Sequence, residues 1–445
     1  FPHDQIKEIH KKIQEKLLID ETTIDHLISS LVAKKHILLT GAIGTGKTHI
    51  ATMLPSIVWE GSDDGYYAEV TTATSDWTTQ DVIGGIMPKI DKAKQITYAV
   101  EKGCVSAAVY NNWLNGDNKN RVYIDKNNKR YRGMWTVIDE FNRANIDRSF
   151  GQLFTALEYG EIKLPTNNPH KEYESLKIPK DYRIIGTLNT SDKHFLHTLS
   201  DALKRRFDII ELLPPPYEKM EKEKYHVVEN AIRDMGKLDL TTIAVDHNNQ
   251  TVVVGSDVEA EAALDTLYRI MTYIRLVKPL GTALLISMFR FMITNHKLTG
   301  DWNKSLDLAL TSTVLPQIES LPYWTLKVIK NTVCGNLYDF FTTDPDFKKS
   351  SKSYLNDILT LRKFFATMGK PAKKSFDRIK KQTLVSDDED KLNVWKDGNE
   401  STKILSPPKL DLFSKSIEKI VAEKSFSDEY ETDDEADDEM DNDLV

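Results

Sequence analysis

The octapeptide GAIGTGKT at residues 41–48 decides how the rest of the chain is read. It matches the phosphate-loop pattern GxxxxGK[ST] in full and directly follows the apolar run HILLT (36–40), which reads as a strand. Gly41, Gly44 and Gly46 let the backbone curl, so that N–H groups along Gly41, Ala42, Ile43, Gly44, Thr45, Gly46, Lys47, Thr48 and His49 converge on phosphate oxygens. A helix is expected to begin at the end of the loop and to add the positive end of its dipole. Lys47 offers a point charge to the β- and γ-phosphates, and the Thr48 hydroxyl is a ligand for Mg²⁺. The stretch implies a nucleoside triphosphate as ligand.

Working outward, a second element must hold the metal and orient water. The run MWTVIDE (134–140) is an apolar strand ending in two acids. Asp139 is placed to reach the Mg²⁺ shell, and Glu140 to polarise the attacking water as a base. Another apolar strand, YRIIGTL (182–188), ends in Asn189, Thr190, Ser191 and Asp192. An amide at Asn189 can donate to phosphate and accept from water, which positions a nucleophile without changing its charge. Asp192 reads two ways: as a further water-holding or partner-receiving group, or as the cap of the turn KHFLHTL. Arg143 follows the carboxylates by one turn. Arg205 and Arg206 precede the strand FDIIEL (207–212), where an arginine could reach a neighbouring subunit's γ-phosphate.

The order of these runs, with YAEVTT (67–72) as a fifth strand and helices between, predicts an α/β fold: a parallel five-stranded sheet sandwiched by helices. Residues 1–35 are expected to form N-terminal helices packed on the large nucleotide-binding domain, which spans 36–213. A mostly helical second domain with a hairpin insertion (242–254) is expected over 214–369, and a linker, one weak amphipathic helix (408–424) and an acidic disordered tail over 370–445. The polar stretch 114–133 reads as a surface insertion, and 160–183 as a hairpin before the fourth strand. Glu161-Ile162-Lys163 fits half of a nuclease motif but has no fitting acid upstream, so a nuclease within the chain is not expected.

Composition excludes several classes. Forty per cent apolar and 28% charged residues are the profile of a globular chain of more than one domain. Two cysteines, Cys104 and Cys334, build no disulfide framework, and no CxxC or HExxH pair offers a zinc site. A cytoplasmic protein without a membrane span is the expectation; TALLISMFRFMIT (282–294) is short for one and contains Arg290, and reads as a core helix. No secretory signal is read at the start. The chain begins at Phe1, which reads as a fragment or a processed product. The net charge of −8 comes from the end: residues 428–445 hold 11 acids and no base. Such a run reads as a solvating tail, or as a competitor of nucleic acid for a basic channel.

Taken together, GAIGTGKT, DWTTQDVIGG (76–85), VIDEFNRANIDRSFGQLFTALE (137–158), GTLNTSD (186–192) and LSDALKRRFDIIE (199–211) resemble the AAA+ ATPases, in the branch of the MoxR-type ATPases and the McrB GTPases. The likeness is sharper to McrB, whose Asn-Thr-Ala-Asp signature stands here as Asn189-Thr190-Ser191-Asp192. The resemblance implies a P-loop NTPase working as a homo-hexameric ring with nucleotide at subunit interfaces. It further implies GTP (or ATP) with Mg²⁺, a McrC-like nuclease and stimulating subunit as partner, and DNA engaged through the ring or a partner domain. On this likeness Asn189 is the sensor residue, Arg205 or Arg206 the trans-acting finger, Arg143 an interface residue, and Asp192 a group that engages the partner. A MoxR-type ATP-driven remodeller of proteins is the other reading. The McrB domain that reads DNA would stand ahead of the motor, where this sequence has only about 35 residues.

Overall fold

Five strands form one parallel sheet: β1 (His36–Gly41), β2 (Tyr67–Thr72), β3 (Met134–Asp139), β4 (Ile184–Thr187) and β5 (Phe207–Leu212), side by side in the order β5-β1-β4-β3-β2. The computed structural model describes residues 3–58, 65–90, 94–112, 123–166, 170–189, 201–235, 243–254, 258–350, 352–370, 372–396 and 408–440. The chain divides into two units, Phe1–Pro215 and Pro216–Val445.

In the first unit β1 is buried at all six positions, as a strand covered on both faces must be. Ile37, Leu38, Leu39, Val137, Ile138, Ile184 and Ile185 are each fully out of solvent. Each such side chain contributes roughly 1.5–3 kcal/mol by leaving water. The registers fix which ends meet. Leu39 lies beside Thr187, Gly186 beside Ile138, and Thr72 beside Asp139, so β1, β4 and β3 deliver their carboxyl ends to one edge. His36, at the other edge, accepts the Ile184 N–H on Nδ1 at 3.0 Å. Burial, and then the charges of Arg183 and Arg206, hold its imidazole down at about 3, so it stays neutral and able to accept.

The helices α1 (His3–Gln14) and α2 (Glu21–Val32) precede β1; Asp20 caps the second by accepting from the Thr23 N–H at 2.9 Å. Helix α3 (Lys47–Ile57) follows the glycine loop, α4 (Ile146–Tyr159) follows β3, and α5 (Asp201–Arg206) leads into β5. The hairpin expected at 160–183 is present as Glu161–Leu164 against Glu174–Lys177. A second one, Gly84–Ile90 against Ile96–Lys102, was not anticipated. Ile90, Ile96 and Tyr98 on its outer face are more than two-thirds exposed.

The second unit is mainly helical around a core of its own. The segment expected as a core helix is Thr282–Thr299, with Leu285, Met288, Phe289, Met292 and Ile293 buried. The hairpin expected at 242–254 pairs Ile243–Asp246 with Thr251–Val254. Among the described residues no helix is long and apolar enough to cross a membrane. The stretch from 370 was expected as a linker, one weak amphipathic helix at 408–424 and an acidic tail, and its first part packs as well. Helices Lys373–Lys381 and Ser386–Lys391 bring Phe376, Ile379, Leu392, Val394 and Trp395 into the same core. The final helix, Asp411–Met440, docks through Phe413 and Ile417. Asp307 caps it from a distance, accepting the N–H groups of Leu412 and Phe413 at 2.9 and 2.8 Å. Its side chains are described as far as Ser425, so the acidic run lies outside them.

Candidate functional site

The site is built where β1, β3 and β4 end. Gly41, Gly44 and Gly46 have φ of 150°, 80° and 85°, a backbone that side-chain-bearing residues adopt rarely. Gly46 is also the N-cap of α3 and carries no side-chain oxygen, so the first N–H groups of the helix are left to an external acceptor. A Cβ on Gly46 would come within 2.9 Å of Leu17 Cδ2. Leu17, between α1 and α2, therefore packs directly against the loop. Nothing in its apolar spacing had marked it for that place.

Lys47 is buried, and its ammonium donates to the Gly41 and Ala42 carbonyls at 2.9 and 2.8 Å. Burial pushes it below its ordinary value, against the opposing charge of Asp139. The Thr48 hydroxyl donates to Asp139 Oδ1 at 2.9 Å. The pair fits Mg²⁺: two hard oxygens, spaced about as adjacent ligands of an octahedron with 2.0–2.1 Å bonds are. Among the described residues no group of three or more histidine, cysteine or acid side chains gathers as a metal cage. Mg²⁺ does not require one, because it keeps waters and takes the remaining ligands from substrate phosphates.

Glu140, the first residue beyond β3, sits in the left-handed region at φ 53°. A non-glycine residue there costs about 1–3 kcal/mol and is held by its surroundings. Three contacts hold it. Its N–H donates to Thr187 Oγ1 at 3.1 Å; Phe141 is fully buried and stacks on Phe150 at 4.3 Å; and Arg143 closes a short 3-10 turn back to it. Phe141 finds room because residue 186 is glycine: a Cβ there would stand 3.1 Å from its ring and 2.6 Å from Leu38. Thr187 is the residue sequence reasoning missed. Its buried hydroxyl donates to Asp139 Oδ1 while accepting from Glu140, so one side chain aligns both acids. A threonine in an apolar strand looks like ordinary strand filling, and only the register reveals it.

Arg143 grips the carboxylate of Glu140 with two nitrogens, Nη2 to Oε1 at 3.0 Å and Nε to Oε2 at 2.7 Å. Asn189 follows β4 by two residues, at the same edge, half-buried. Asp192 lies outside the described residues. Arg205 and Arg206 are not brought to this edge. They precede Phe207, which pairs with His36, whereas the loop end of β1, Gly41, pairs with Leu212. Six residues of strand, about 17–20 Å, separate the two edges. Arg205 is exposed, its carbonyl accepting from Lys35 Nζ at 2.6 Å, and Arg206 pairs with Glu158 at 2.8 Å.

With this arrangement in view, residues 36–207 match the family described as the AAA domain of the dynein-related subfamily. This stretch of the chain is an AAA domain. Among known proteins the chain is similar to the Type IV methyl-directed restriction enzyme EcoKMcrB subunit of Escherichia coli (strain K12). It is 28% identical over 202 residues, 44% of this chain and 39% of that protein. It is also similar to the Type II restriction enzyme BsuMI component YdiS of Bacillus subtilis (strain 168), 31% identical over 118 residues, 23% of this chain and 32% of that one. The chain thus spans well under half the length of these relatives. Among solved structures, a putative ATPase from Cytophaga hutchinsonii aligns over 69% of this chain and 85% of its own, with 13% identity and a TM-score of 0.33. The AAA domain carries the whole candidate site: loop, both acids, Thr187, Asn189 and the arginines.

Proposed function

We propose that the chain is a nucleoside-triphosphate hydrolase, GTP or ATP, acting as the ring-forming motor subunit of a modification-dependent restriction complex. The loop N–H groups and Lys47 bind the β- and γ-phosphates. Thr48 and Asp139 would hold Mg²⁺, which when bound neutralises charge between those phosphates. Glu140 takes the proton of the attacking water, for which one of its oxygens must be released by Arg143. Asn189 orients that water.

One observation carries the ring: Arg205 and Arg206 stand about 17–20 Å from the loop of their own chain, beyond the reach of a side chain. An arginine there can act only on a neighbour, and heterologous contacts whose rotation closes make rings. The likeness to two restriction-enzyme components supports DNA as the target and a separate McrC-like nuclease as partner.

The site is tested by measuring nucleotide binding and turnover, with GTP and ATP side by side, for wild type, Lys47→Ala and Glu140→Gln. Lys47→Ala should lose binding. Glu140→Gln should bind and not turn over; turnover at the wild-type rate would remove Glu140 from the mechanism.

A further inference from the structure

The second unit carries a charge asymmetry that the nucleotide site does not use. From Lys348 to Lys381 the sequence holds 11 lysines and arginines and two acids, Asp357 and Asp377, in a chain whose net charge is −8. The fold gathers six of these lysines on one face. In the helix Lys373–Lys381 the residues Ser375, Phe376 and Ile379 are buried, while Lys373, Lys374, Lys380 and Lys381 are all exposed. Their spacing puts the two pairs on one side of the helix, about 10 Å apart along its axis. Gln382 ends the helix in a left-handed conformation and donates its side-chain amide to the Lys348 carbonyl at 3.3 Å. That contact brings exposed Lys348 and Lys349, the last turn of the helix Pro345–Lys349, to the same end.

None of these six lysines has an ion-pair partner among the described residues, and of the acids that follow the helix Asp387, Asp388 and Asp390 are taken. Arg378 holds Asp387 at 3.2 Å and Asp388 at 3.1 Å, Lys391 also holds Asp387, and Lys396 holds Asp390. Asp377 is the acid that remains on the lysine-bearing side of the helix. Six like charges with only Asp377 among them are left in net repulsion, which stabilises nothing in the fold.

We propose that this lysine face binds the phosphate backbone of a nucleic acid. Lysines without aromatic neighbours on the face suit sequence-independent contacts to phosphate rather than reading of bases. A membrane surface fits poorly, because the apolar side of the helix, Phe376 and Ile379, is spent in the protein core and nothing is left to insert. The proposal rests on the restriction-complex reading only for the kind of polyanion. The rival occupant is the chain's own end, with 11 acids in residues 428–445.

The test is fluorescence anisotropy of a labelled mixed-sequence DNA duplex over a salt series, using residues 1–445. Wild type is compared with the quadruple variant Lys348→Ala/Lys349→Ala/Lys380→Ala/Lys381→Ala, and both are repeated with the chain ended after Lys424. Each phosphate contact contributes about −0.9 to the slope of log affinity against log salt, so losing four lysines should flatten it by about 3–4. Affinity at low salt should fall at least about tenfold, with DNA-free nucleotide hydrolysis unchanged. If only the shortened chain binds, and the quadruple substitution abolishes that binding, the face stands and the acidic end covers it. An equal slope in the quadruple variant, no binding by either wild-type length, or binding to anionic lipid vesicles but not to duplex would overturn the proposal. Absence of hydrolysis in every protein would count against the nucleotide site alone, since the anisotropy is read without nucleotide.

Discussion

Replacing Thr187 by valine deletes one hydroxyl and keeps the branched shape of the side chain. Thr187 is 98% removed from solvent, and its hydroxyl donates to the Asp139 carboxylate and accepts the Glu140 N–H at 3.1 Å. A hydrogen bond to a charged acceptor contributes about 1.5–3 kcal/mol, and an N–H left without its acceptor costs about 1–3 kcal/mol more. Glu140 is only half-buried, so water can recover part of the second figure. A stability loss of about 2–4 kcal/mol is therefore expected. The left-handed turn at Glu140 also loses one of its restraints, and a shift of about an ångström in a reacting group costs on the order of 10²-fold in rate. The expected signature is a kcat lower by about that factor with nucleotide affinity nearly intact, because Lys47 and the loop are untouched. Thr187→Ser, which keeps the hydroxyl, should restore most of the rate. Thermal melting, nucleotide binding and steady-state hydrolysis on the two variants decide the matter. Wild-type kcat in the valine variant, or a loss that serine does not rescue, would refute the role given to Thr187.

Gly46→Ala forces φ near 85° on a residue with a Cβ and presses that atom against Leu17. It should weaken nucleotide binding, and a second substitution, Leu17→Ala, should recover part of it in a titration of the double variant. Asp357 in the second unit is buried with one 3.3 Å hydrogen bond from Thr325, and burial pushes its carboxyl from 3.8 up to about 6. The folded state then binds the proton more tightly than the unfolded one, so stability falls as pH rises from about 4 to about 6, by about 3 kcal/mol in all. Asp357→Asn should be the more stable protein at pH 7.5 and lose this slope, with the two melting curves converging below about pH 4.

Four of the strands were legible as short apolar runs and Tyr67–Thr72 by its β-branched and aromatic residues, and the loop because its glycines, lysine and threonine are fixed by phosphate geometry. The hairpin Gly84–Ile90 with Ile96–Lys102 was not, since its apolar residues alternate toward solvent and cover no core that a pattern could reveal. The packed segment after 370 was hidden by its lysines: Phe376 and Ile379 are two apolar residues among six charged ones in that helix. At the site, the identities of Asp139 and Glu140 were readable, but their alignment was not. It depends on Thr187 reaching across from the next strand and on Gly186 making room for Phe141, contacts set by register rather than by local sequence. The same holds for Arg143, whose grip on Glu140 within its own chain no motif announces.

The central claim, that Arg205 or Arg206 completes the site of a neighbour, is tested most directly by mixing two inactive proteins. Arg205→Ala/Arg206→Ala should bind nucleotide almost normally and lose about 10³–10⁵ of its turnover. Glu140→Gln should also be inactive while keeping both arginines. In a mixed ring, an interface that joins an intact Glu140 to a neighbour's intact arginines is complete, so hydrolysis should reappear and peak near equal proportions of the two. Hydrolysis that stays at the level of the separate variants at every ratio, while sedimentation shows mixed assemblies, would contradict the account.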